Sequence, residues 1–294
     1  MRIPLIALAL LAALPSPAGA EATVGAATVE AARYPWLADW PAPLPVMVPL
    51  EARFAPPAGF ARVEVAPESF AGWLRGLPLR TDRTNVLAYD GRRLLRPSAA
   101  VAVLDVGARD VQQCADTALR LHAEWLWHRG AADRAVYHFT SGDTSSWRDW
   151  KAGERFRVAG SRVERYRGAK RAGTRAAWRA WLDHLFRYAG TRSLRLDAAP
   201  VGERPFVAGD VLVQPGGPGH AVILLDLARH PDGRVAALIG QGFMPAEELH
   251  VLTMPGALDG VWFVLPAGPD EAVLTPSWPT PFRRAHALRF RDPR

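Results

Sequence analysis

The chain reads as an α+β protein, and three observations predict that class. An amphipathic helix lies between Thr174 and Gly190, where Trp178, Trp181, Leu182, Leu185, Phe186 and Ala189 recur at i, i+3, i+4, i+7, i+8 and i+11. A second helix starts near Cys114 in "RDVQQCADTALRLHAEWLW", residues 109–127. From Asp210 onward the pattern changes to short apolar runs cut by turn residues, "DVLVQPGGPG", "HAVILLDLA", "RHPDG" and "RVAALIGQGF", which is the mark of antiparallel strands. Helices early and a run of strands later segregate into an α+β domain.

Taken in order, residues 1–20, "MRIPLIALALLAALPSPAGA", have a positive start at Arg2, an apolar stretch from Ile3 to Leu14 and a small-residue cleavage site at Ala18-Gly19-Ala20. They read as a signal peptide, so the expected mature protein is exported, periplasmic or secreted. No cysteine follows Ala20, which argues against a lipoprotein, and no later segment approaches the ~20 apolar residues of a transmembrane span. Residues 21–60 are rich in Ala and Pro and predict an irregular N-terminal arm. Residues 61–294 are expected to form a single α+β domain. Within it, Pro67 to Leu77 begins like a short helix, and Asp90-Gly91 in "LAYDGRRLL" signals a tight hairpin. Ala99 to Val106 reads as a buried strand leading to the cysteine helix. Asp110 followed by Gln113 fits a capping box for that helix, whose inward stripe is Ala118, Leu121 or His122, Trp125 and the stem of Arg129. Ala135 to Thr140 reads as a strand that ends in the turn-rich "SGDTSS". Thr174 is the N-cap expected for the later helix, and Gly190 ends its pattern.

Charge narrows the function. The formal net charge is +7, with lysine only at Lys151 and Lys170 and the arginines scattered. Without a basic run interleaved with aromatics, a nucleic-acid partner is not indicated, whereas an anionic envelope polymer fits the sign. Cys114 is the only cysteine, so no internal disulfide can form, and the thiol is either core filling or a reactive group. A thiol in the first turn of a helix feels the partial positive charge there, which predicts a lowered pKa and a better nucleophile. A cysteine nucleophile needs a base and the base an orienter. His220 heads a strand. A hairpin folded about His230 and Pro231 would set Val222 against Ile239, Leu224 against Ala237 and His220 against Gln241, whereas a turn centred on Asp232-Gly233 would displace Gln241. Gln112 and Gln113, with the helix amides, are candidate oxyanion donors, and Ser141 a site-lining group. His138, His220 and His250 with Asp210 or Asp226 lack HExxH or HxH spacing, so no metal or other cofactor is called for. "PGGPG" leads into a strand, not into the helix a phosphate-binding loop requires.

Cysteine at a helix start, histidine heading a strand after "GDV...GH" and a polar residue on the next strand resemble the order of parts in papain-like cysteine peptidases, above all the NlpC/P60 and CHAP wall amidases. That resemblance implies a helix bearing the cysteine packed on an antiparallel sheet, with Cys114 as nucleophile, His220 as base and Gln241 as orienter. It also implies a cell-wall peptide as substrate. Separately, "RDVQQCADTALRLHAEWLW", "FTSG", "GDVLVQPGGPGHAVILLDLA" and "QGFMPAEELHVL" closely resemble the bacterial family called domain of unknown function 4846, over most of residues 55–280. Three readings follow: an exported cysteine amidase or endopeptidase acting on an envelope peptide, a noncatalytic envelope-binding relative, and a structural protein whose cysteine only fills the core.

Overall fold

The computed structural model describes residues 28–159 and 162–291. The signal segment, residues 1–20, and the start of the arm lie outside them, as do residues 292–294. The main feature is a nine-stranded sheet. Its strands are β1 (Ala61–Arg62), β2 (Ser98–Val101), β3 (Ala198–Pro200), β4 (Val211–Gln214), β5 (His220–Arg229), β6 (Val235–Gln241), β7 (His250–Leu252), β8 (Trp262–Val264) and β9 (Ala287–Phe290). The main path runs β3-β9-β4-β5-β6-β7-β2, with β1 beside β5 and β8 beside β6. Every pairing is antiparallel.

The sequence explains why this sheet needs cover on both faces. Every residue of β5 from His220 to Ala228 is buried, so it has no solvent face. Alternation divides it up to a bulge at Leu225, with Ala221, Ile223 and Leu225 in the larger core and Val222 and Leu224 in a smaller one on the other side, which Leu227 joins past the bulge. The larger core also holds Ala115, Ala118 and Leu119 of α1 (Cys114–His128), with Trp178, Trp181 and Leu185 of α2 (Arg175–Phe186). The smaller one holds Phe282, Phe263 and Leu265.

The papain-like, NlpC/P60-like arrangement expected from the resemblance is therefore corrected. The chain is dominated by antiparallel sheet with few helices, and α+β holds only as the loose class. The reason is long-range. Strands β2, β3 and β9 come from distant parts of the chain and extend the sheet well beyond the predicted β4–β5–β6 hairpins, a recruitment that local periodicity does not encode.

The local expectations map closely. Thr174 caps α2 by accepting from the Ala177 amide at 3.3 Å, and Trp178, Trp181, Leu182, Leu185 and Phe186 form its buried stripe. Ser69 caps the short helix Phe70–Arg75, and Gly91, at φ 83°, turns the hairpin between Val86–Leu87 and Arg93–Leu94. The cysteine helix starts differently from its predicted capping: Gln113, not Asp110, is the N-cap, and Asp116 accepts from the Gln113 amide at 3.1 Å. Asp110 instead accepts from the Ala246 amide at 2.6 Å, tying this loop to the segment after β6. The arm is built into the core, with Tyr34, Trp36 and Leu50 buried and Met47–Pro49 paired with Pro78–Arg80. Among the described residues no helix is long and apolar enough to cross a membrane.

Candidate functional site

Strand register decides whether His220 and Gln241 meet. The turn folds about Asp232, with Arg229 opposite Val235 and Leu227 opposite Ala237, so the predicted pairs Val222–Ile239 and Leu224–Ala237 do not occur. A bulge at Leu225 then recovers one residue, giving Leu224 opposite Ile239 and Ile223 opposite Gly240. Gln241 is thus diagonal to His220, not directly across from it. Long side chains span that diagonal. His220 Nε2 lies 3.0 Å from Gln241 Oε1.

Hydrogen-bond roles propagate from there. His250, paired with Gln241 across β6 and β7, has Nδ1 3.0 Å from the Glu248 carbonyl oxygen, so Nδ1 carries the proton and Nε2 is an acceptor. Gln241 Nε2 donates to it over 3.4 Å, which leaves Oε1 to accept from His220 Nε2–H. His220 Nδ1 is left as a bare lone pair, buried and without a partner. The chain from the Glu248 carbonyl through His250 and Gln241 selects the tautomer with its basic nitrogen at Nδ1. Burial pushes the His220 and His250 imidazoles down to about 4, so both are neutral near pH 7; for His220 the Gln241 hydrogen bond opposes this. Phe243 and Trp278 enclose the His220 ring, at centroid distances of 4.8 and 5.1 Å.

Cys114 opens α1, with its sulfur against the backbone amide of Ala221, the residue after His220. The start of α1 also touches the chain just past Gln241. A Cβ on Gly242 would sit 2.4 Å from Thr117 Oγ1, so only glycine lets the helix approach this closely. α1 thus docks near the ends of β5 and β6, with Cys114 beside the residue that follows His220 and Thr117 beside the residue that follows Gln241. The thiol is 7 % exposed and makes no hydrogen bond with His220 Nδ1.

The predicted thiol activation is reversed. Burial, followed by the neighbouring Asp116 carboxylate, pushes Cys114 up to about 11 despite the amides of Ala221 and Ala115. A helix N-terminus contributes roughly 0.3–1 kcal/mol, under one pH unit, whereas burial moves a pKa by several. Asp116 itself is raised by burial to about 8, and its Oδ1 lacks a partner. Sequence reasoning passed over it, although an acid two residues after Cys114, in the first turn of its helix, was visible.

The other predicted site residues are engaged elsewhere. Gln112 Oε1 accepts from Arg120 at 3.2 Å and Arg179 at 3.1 Å, within a buried network that includes Asp105 and Glu124. Gln113 donates its side-chain amide to Asp110 at 3.0 Å. Ser141 is exposed in the turn between Val136–His138 and Thr144–Ser146, bonded to Asp143 at 2.9 Å. None of these contacts involves Cys114 or His220. The backbone amides of Ala221, Ala115 and Cys114 itself are the groups that favour the thiolate.

No curated protein and no solved structure matches the chain significantly, and nothing supports the papain-like resemblance. A family model does match, over residues 50–288, which takes in Cys114, His220, Gln241 and all nine strands except the last two residues of β9. The chain belongs to the family described as domain of unknown function (4846).

Proposed function

We propose that the chain is an exported cysteine hydrolase that cleaves an amide bond in an envelope peptide. The observation that supports this most is the hydrogen-bond chain from the Glu248 carbonyl through His250 and Gln241, which leaves His220 Nδ1 as a buried acceptor one residue from the amide that holds the Cys114 sulfur. Export rests on the signal-like residues 1–20, and an envelope substrate is consistent with export and with the net charge of +7.

The resting pair is a neutral thiol and a neutral imidazole, so the chemistry is general-base catalysis, not attack by a preformed thiolate. As sulfur bonds to the substrate carbonyl carbon, its proton passes to Nδ1. The amides of Ala115 and Ala221, which act on the sulfur, are the candidate donors to the developing oxyanion. The imidazolium then returns the proton to the leaving amine as the C–N bond breaks, and water hydrolyses the thioester with the same base. The reaction requires the buried thiol to be uncovered and Nδ1 to reach it, a contact that unliganded sites often leave unformed.

Purified mature protein is assayed against cross-linked wall peptides by release of free amines. Cys114→Ala is expected to abolish turnover, and His220→Ala to lower kcat/KM by roughly 10²–10⁴-fold. Gln241→Ala, which loosens only tautomer and aim, should cost less than His220→Ala. Unaltered hydrolysis by Cys114→Ala removes the nucleophile. The variants also separate the noncatalytic alternative, in which peptide binding persists without any bond cleavage in the wild type.

A further inference from the structure

Away from the thiol, a cavity of about 1060 Å³ opens beside the second half of α1. Its volume is at the upper end of small-molecule sites, which span about 300–1,000 Å³. Cys114, His220 and Gln241 are absent from its lining. The floor is aromatic and neutral. His122 stacks on Phe290 with ring centroids 4.3 Å apart and planes 7° apart, and Phe70 lies 5.4 Å from Trp125. Burial holds His122 down at about 3, and its Nδ1 is 2.8 Å from the Tyr137 hydroxyl, so this ring adds no charge to the floor near neutral pH. Phe70 itself rests on Gly209, where a Cβ would come within 2.6 Å of its ring.

The rim has the opposite character. Arg129, Arg134, Arg204, Arg289 and Arg291 all line the cavity, and Glu68 is the single carboxylate among the lining residues. Asp210, outside the cavity, balances Arg289 at 2.6 Å. Arg204 and Arg291 bond only to backbone carbonyls, of Val201 and Pro200 and of Leu196 respectively, and neither forms an ion pair among the described residues. Arg129 donates to the Glu68 backbone carbonyl at 2.6 Å and comes within 3.9 Å of its carboxylate, an exposed ion pair of a kind worth little. An apolar aromatic floor beside Arg204 and Arg291, whose guanidinium groups bond only to backbone carbonyls among the described residues, suits a ligand with an apolar body and one anionic head.

We propose that this cavity binds an amphipathic anion, an alkyl or acyl chain ending in a phosphate or carboxylate, with the chain over Phe70, His122, Trp125 and Phe290 and the head between Arg204 and Arg291. The site is independent of the hydrolase reading. Calorimetric titration of the full mature chain with monomeric dodecyl phosphate tests it. Saturable one-to-one binding is expected. Inorganic phosphate should bind at least about tenfold more weakly, for want of the apolar body, and dodecyltrimethylammonium likewise, for want of the anion. Arg204→Gln combined with Arg291→Gln should weaken dodecyl phosphate about tenfold or more while the thermal midpoint stays put, because both side chains are exposed. If the double variant fails to fold, each single variant is titrated against the same criterion. Equal binding of the cationic amphiphile, equal binding of inorganic phosphate, or undiminished affinity in the arginine variants each overturns the proposal.

Discussion

Asp116 carries the sharpest consequence at the scale of single residues. Its carboxyl is fully buried, raised by burial to about 8, and it is the second cause that holds the Cys114 thiol up at about 11. The folded pKa lies above the unfolded value, so the folded state keeps a proton that the unfolded state releases. The stability this group contributes is complete below about pH 4 and is lost as pH rises through about 8. Asp116→Asn keeps an oxygen acceptor for the Gln113 amide but cannot ionise. The melting temperature of the variant should gain on wild type steadily between pH 4 and 8, and the alkylation profile of Cys114 should move to lower pH. A constant difference across that range means Asp116 is not protonated in the folded state. His220 and Gln241 were legible as partners because both are polar residues at strand ends. The bare Nδ1 was not, since it depends on which nitrogen His250 presents two strands away.

At the scale of elements, α2 is the part whose periodicity and packing agree most fully. Trp181 is fully buried in its stripe and donates its indole N–H to Ser145 Oγ at 2.9 Å, fixing the helix to the segment Thr144–Ser146. Trp181→Ala empties a large buried ring and strands the Ser145 hydroxyl, with an expected loss of roughly 3–5 kcal/mol in chemical denaturation. A loss under about 1 kcal/mol would show that the ring is not packed as described. The β5–β6 hairpin teaches a different lesson. The strands were legible, but "RHPDG" allows two turn centres, and the bulge at Leu225 has no signature in an apolar run such as "AVILLDL". The contact between His220 and Gln241 survives because turn shift and bulge partly cancel.

Across the whole molecule, the arm and the sheet are one structure. Trp36 is 1 % exposed, donates to the Val103 carbonyl at 2.5 Å and meets Tyr34 and Trp73 at 5.4 and 5.7 Å. Trp36→Ala should therefore cost roughly 3–5 kcal/mol, as for a ring in the domain core, in a single cooperative transition. A variant as stable as wild type would mean the arm is only draped over the surface. Asp226 makes the same point from the sheet: fully buried in β5, it is held by Arg62 and Arg75 from the segment between the arm and the hairpins, and without them its charge would be buried unpaired.

What the sequence determined by itself is whatever rests on local spacing: the α2 stripe and its Thr174 cap, the Asp90-Gly91 hairpin and the strands after Asp210. These follow from backbone sterics and side-chain periodicity within a dozen or so residues. Tertiary structure alone decided the nine-strand sheet, the second core behind β5, the arm's place in the first core and the state of the thiol. The helix start that was expected to acidify Cys114 is real, yet the protein above it excludes water, and desolvation outweighs a partial charge. Neither the depth of that cover nor the arginine rim gathered from three distant segments is written in any one stretch of chain.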